Sequence, residues 1–141
     1  MNHVTKEKIP PLQIGVWAQQ QEDNTLRIDR SVRPIKMKNS DGTGEPLVLY
    51  ERFGADVIRF SAGEGVQNHT HEGDHILFVL AGTGTLLFRG ERHKLFPGLC
   101  YLVPGFVDHA IEAETDLVLI AVGNNHFPLD SEDRMTPVTD Q

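Results

Sequence analysis

The sequence predicts an all-β fold, a sandwich or barrel of short strands. Three observations carry that prediction. From residue 46 onward, short apolar segments alternate with turn signals at intervals of about eight to twelve residues. None of these segments shows the i, i+3, i+4 apolar spacing of an amphipathic helix. The 141 residues include 13 Gly and 8 Pro, which suits many strands joined by tight turns.

Residues 1–45 read as an N-terminal arm. Its first part is polar and contains Pro10-Pro11; a short apolar patch, 14–17, follows. The apolar alternation of 26–37 predicts one or two strands, with Pro34 marking an edge. Residues 39–46 are loop-like in composition. Residues 46–123 hold the regular strand signals. Strands are expected at 47–53 and 56–61, on either side of the turn at 72–74, and at 84–88, 92–96, 99–103, 109–113 and 116–122. Arg89-Gly90-Glu91 and Pro97-Gly98 supply turns. Residues 124–141 form an acidic, polar tail, expected as a strap or a partly ordered end with a short helix near 131–135.

The net charge is −7. Nucleic acid and anionic membranes both attract basic patches, so neither is an expected partner. Cys100 is the only cysteine, which excludes an intrachain disulfide. The N-terminus lacks a secretory apolar core, and no apolar run approaches membrane-spanning length. A cytoplasmic protein is the expectation.

Chemistry concentrates in residues 63–82, GEGVQNHTHEGDHILFVLAG. His69 and His71 are two apart. On a strand that spacing puts both side chains on one face. On a helix it separates them by about 200°, at about 100° per residue. Gly63, Gly65 and Gly73 disfavour a helix, and 75–81 is a Gly-bounded apolar run. A hairpin is therefore expected, with Glu72-Gly73-Asp74 as the turn that brings His75 beside His69 and His71. A histidine pair in a strand is often a surface or core feature. The third histidine across the turn shifts the reading to a metal site, because three converging neutral imidazoles suit Zn, Fe, Ni, Mn or Cu. Farther on, Pro104-Gly105 ends one strand and His109 opens the next, which returns a fourth imidazole to the same place.

These two segments resemble the two sequence boxes of the cupin family. The first family pattern is G-x5-H-x-H-x3,4-E-x6-G. Here it reads Gly63-x5-His69-x-His71-x3-His75-x6-Gly82, with His75 where Glu is commonest. The second is G-x5-P-x-G-x2-H-x3-N. Gly98, Pro104 and His109 match it, Gly105 stands one place early, Phe106 replaces the usual Gly, and Ala113 stands near the final Asn. The resemblance covers residues 46–123. It implies a jelly-roll barrel, a double-stranded β-helix. It also implies one divalent transition metal (Fe, Mn, Ni, Zn or Cu) on His69, His71, His75 and His109. Without the carboxylate, the metal keeps its full positive charge.

The implied function is a metal-dependent enzyme acting on a small organic molecule, foremost a dioxygenase-type oxidation with substrate bound at the metal. The alternatives are an isomerase, lyase or cyclase of a keto or hydroxy acid, or a non-enzymatic metal- or ligand-binding protein, since fold does not choose among them. Gln67, Tyr101, Phe88 and Arg59 are the candidate pocket-lining residues. His3, His93 and His126 fit neither box and are expected at the surface. The run 75–81 is apolar on both faces, so one face needs a cover from the arm or a second subunit. The resemblance implies a homodimer.

Overall fold

The computed structural model describes residues 9–28 and 34–138. Among these there are thirteen strands and no helix: β1 (Gln19–Gln20), β2 (Leu26–Arg27), β3 (Ile35–Lys36), β4 (Thr43–Tyr50), β5 (Phe53–Phe60), β6 (Gly65–Thr70), β7 (His75–Ala81), β8 (Gly84–Phe88), β9 (Glu91–Leu95), β10 (Cys100–Val103), β11 (His109–Ala113), β12 (Leu117–Gly123) and β13 (Thr136–Pro137). His3, residues 29–33 and the last three residues lie outside the described part. No helix among the described residues is long and apolar enough to cross a membrane.

The strands form two antiparallel sheets, in the orders β10-β7-β12-β5-β4-β3 and β13-β6-β11-β8-β9. The sheets pack face to face as a jelly roll, and β1 pairs only with β2. β12 lies between β5 and β7; its inward residues Leu117, Leu119 and Ala121 are buried, while Ile120 and Val122 on the outward face are half-buried. Phe60, Leu95, Leu117, Leu119 and Val103 are the most deeply enclosed apolar side chains. Ile58, Val66, Leu77, Val79, Leu86 and Ile111 continue this core between the sheets.

Three expectations change. The first is the histidine hairpin. β6 pairs with β11 and β13, whereas β7 pairs with β10 and β12, so residues 71–74 cross from one sheet to the other. The crossing is tight because Gly73 packs against the Asn124 backbone, where a Cβ has no room. The second is the start of β4, at Thr43, inside the expected loop. Pro46 has no N–H to donate, and the β4–β5 register shifts between Pro46 and Val48 to accommodate it. The third is the tail. Residues 131–134 form turns instead of a helix, and Leu129 and Met135 are buried in the main core. The Pro34 reading holds, since β3 is the edge of the larger sheet.

Candidate metal centre

His69 lies near the end of β6, directly opposite His109 at the start of β11. His71 follows β6 by one residue, and His75 opens β7 opposite Gly123 of β12. A side chain at Gly123 would collide with the His75 ring, so this glycine leaves room for the imidazole. All four rings are buried, none more than 8% exposed.

The loops between these strands are tied together. The Asp74 carboxylate accepts from Gly105 N at 2.8 Å and from Asn124 Nδ2 at 3.3 Å, while Asp74 N donates to Asn124 Oδ1 at 2.8 Å. Phe106 N donates to His71 O at 2.7 Å. The crossing after β6, the turn before β11 and the chain leaving β12 thus brace one another around the histidines.

Three rings share one arrangement. Nδ1 of His69 lies 2.9 Å from Gln67 O, Nδ1 of His71 2.7 Å from Gly73 O, and Nδ1 of His109 2.9 Å from Val107 O. A carbonyl only accepts, so in each neutral ring the proton sits on Nδ1 and Nε2 carries a free lone pair. The ligating atoms of His69, His71 and His109 lie within 4.8 Å of one another. Nε2 of His71 is 3.1 Å from Nε2 of His109. Two lone pairs facing at that distance repel, and a cation shared between them removes the repulsion. The donor set fits a first-row divalent ion, and these three histidines could hold one.

The fourth expected ligand, His75, is not in that set. Its ring stacks on His71, with centroids 4.0 Å apart and planes at 24°, and it lies 5.5 Å from the His126 ring. Burial favours the neutral, ligating form throughout. It pushes His69 down to about 4, His109 to about 3 and His75 to about 2. His71 is also lowered, mainly by burial, with the charge of Arg134 adding to it.

A cavity of about 40 Å³ adjoins the rings. Tyr101 lines it; among the described residues its hydroxyl is buried without a hydrogen-bond partner, and burial raises its pKa above the usual range. Gln67, Phe88 and Arg59 do not line it. Gln67 is exposed because β6 carries an extra residue. His69 faces His109 and Val66 faces Ile111, so Val66 takes the inward place that simple alternation gives to Gln67. Phe88 packs against the edge of the core, and Arg59 borders a separate surface groove with Asp41 and Asp116.

Sequence reasoning missed the buried group beside His75. Asp56 of β5 binds both His126 Nε2 and Arg134 Nη1, the latter at 2.6 Å, and all three residues are at most 6% exposed. His126 is therefore a core residue, contrary to its expected place at the surface; His93 is exposed as expected. Arg134 also donates to Phe127 O at 2.8 Å and lines the cavity. The available signal was Asp56 set among the apolar residues Ala55, Val57 and Ile58, where a carboxylate needs a buried partner.

A family model described as a cupin domain matches residues 56–123. The chain is 32% identical over 104 residues to an L-ectoine synthase from Sphingopyxis alaskensis, covering 70% of this chain and 72% of that protein. Among solved structures it is similar to the polyketide cyclase RemF from Streptomyces resistomycificus, with a TM-score of 0.61 and 21% identity, over 77% of this chain and 88% of that one. It is also similar to a salicylate 1,2-dioxygenase variant from Pseudoaminobacter salicylatoxidans, with a TM-score of 0.56 and 22% identity, over 59% of this chain and 26% of that one.

Proposed function

This chain belongs to the cupin superfamily, and from that premise we propose a metal-dependent enzyme whose ion is held by His69, His71 and His109 and whose substrate is a small organic molecule. The observation that supports it is the shared tautomer: three Nδ1–H groups are taken up by backbone carbonyls while the three Nε2 atoms converge. When bound, the ion would supply Lewis-acid polarisation of a substrate oxygen. The chain's own residues would fix the ligand tautomers, exclude bulk water and orient the substrate. Among the described residues the cavity is bordered by His75, Tyr101 and Arg134 besides the three ligands, in an otherwise apolar lining.

Lewis-acid chemistry of the lyase or cyclase kind is the preferred reaction class. The relative of 32% identity is named for a synthesis, not an oxidation. Dioxygenase-type oxidation is the second reading. It is favoured by one feature: no carboxylate lines the cavity among the described residues, so a carboxylate base is lacking there. Protein purified without chelator should contain about one first-row transition metal per chain, and the double variant His71→Ala/His109→Ala should lose it. Full metal content in that variant would contradict the ligand assignment. Turnover that survives removal of oxygen would select the Lewis-acid reading over the oxidative one.

The proposal includes a homodimer. Ile76 and Phe78 point outward from β7, and their register neighbours on β10 are Leu102 and Cys100, also exposed. Among the described residues this face stays exposed, and Gln13 of the arm binds Leu49 of β4. Sedimentation should give a dimer, and Phe78→Asp should shift it toward monomer with unchanged metal content.

A further inference from the structure

Apart from the histidines, the cavity is apolar except for two groups, Tyr101 and Arg134. Tyr101 enters from β10, where it pairs in register with Leu77. Among the described residues its hydroxyl is buried without a partner, which leaves a donor for a ligand in the cavity that Tyr101 lines. Arg134 enters from the other side, on the chain segment after β12. Its hydrogen bonds to Asp56 and Phe127 both run through Nη1 and take up its two protons. A guanidinium carries five donors in a planar fork, so Nε and Nη2 remain for a ligand.

Charge points the same way. Asp56 is the only buried carboxylate among the described residues, and it is shared between Arg134 and His126. An ion on the three neutral histidines would add a charge of about +2 to an apolar cavity that already holds a guanidinium. Such a cavity has a deficit of negative charge. We propose that Tyr101 and Arg134 form a subsite for the carboxylate of a small organic acid, beside the three-histidine centre. The 40 Å³ of space suits a carboxylate head and little more, so the substrate is either very small or extends through the cavity mouth.

The subsite rests on the reading of the histidine cluster as the place where substrate binds, but the two are tested apart. The protein, with its metal content measured, is titrated calorimetrically with acetate and propionate and with the isosteric amides acetamide and propionamide. The acids should bind at least about tenfold more tightly than the amides. Tyr101→Phe removes only the hydroxyl, and should weaken acid binding about fivefold or more with metal content unchanged. Because loss of Arg134 alone strands Asp56, the second variant is Asp56→Asn/Arg134→Gln, which keeps a neutral pair in place. It should abolish the preference for acid over amide. Metal present at full content with equal affinity for acids and amides would overturn the subsite and leave the metal reading standing. Wild-type acid affinity in both variants would overturn it too. A protein without metal that still prefers acids, and loses the preference in Tyr101→Phe, would sustain the subsite while the metal reading falls.

Discussion

A histidine that donates from Nδ1 to a backbone carbonyl has only Nε2 left for other chemistry. His69, His71 and His109 are each fixed in this way, which makes them a set, whereas His75 meets the set through ring stacking. Keeping such rings neutral has a consequence for stability in the metal-free protein. Folded His69, His109 and His75 titrate near 4, 3 and 2, while the unfolded chain takes up the same protons around 6.5. Above 6.5 both states are neutral and stability is full. As pH falls through 6.5 toward 4, the unfolded state binds protons that the folded state refuses, so stability drops. Each ring contributes at most about 1.4 kcal/mol per pH unit in that window. The melting temperature of chelator-treated protein should therefore fall steeply from pH 7 to about pH 4.5. A flat profile over that range would contradict a neutral, buried cluster. The histidines were legible because their spacing and their glycine and proline punctuation are local. Asp56, His126 and Arg134 were not, because their partnership spans 70 and 78 residues of chain and leaves no local pattern.

At the scale of elements, two glycines separate backbone strain from crowding. Gly82 ends β7 at φ 83° and Gly90 turns β8 into β9 at φ 82°. Alanine at Gly90 would touch nothing within 4 Å, so it bears only the left-handed backbone cost, about 1–2 kcal/mol. Alanine at Gly82 bears that cost and also presses its Cβ into the Asp116 carbonyl and the start of β12. Gly82→Ala should destabilise by about 3 kcal/mol or more, well beyond Gly90→Ala, as read from urea midpoints. Equal losses would mean that β7 leaves its sheet without the close approach to β12. Both turns were visible as Gly between apolar runs. β8 and β11 have the limits that the sequence predicts, and most other strands differ by a residue or two. Sheet membership was another matter. Period-two alternation tells which way a side chain points, not which strand lies beside it. Hence the expected β6–β7 hairpin proved to be a crossover. The bulge in β6 likewise moved Gln67 to the surface, since an inserted residue reverses parity without changing composition.

For the molecule as a whole, the segment after β12 determines whether the jelly roll closes over its cavity. Backbone bonds link Lys38 N to Leu129 O and Val138 N to Asn68 O, and β13 adds to the edge of β6. Leu129 and Met135 are buried in the core, and Asp56 holds Arg134 from the opposite sheet. This segment is therefore a wall of the site as well as a strap. Asp56 anchors both Arg134 and His126 of this segment in the interior, and buried pairs respond asymmetrically to mutation. Removing one partner leaves a charge without solvent or counter-ion, whereas removing both leaves only the His126 N–H without its acceptor. Asp56→Ala should destabilise by about 3–5 kcal/mol, and Asp56→Ala/Arg134→Met should recover part of that loss. If the segment closes the cavity, the single variant should also show faster amide exchange across 124–138 than across β5 and β12, and the double variant should restore the slow exchange. Uniform acceleration over all strands would instead make Asp56 an ordinary element of barrel stability. In that case the cavity's access would have to be sought elsewhere along its rim.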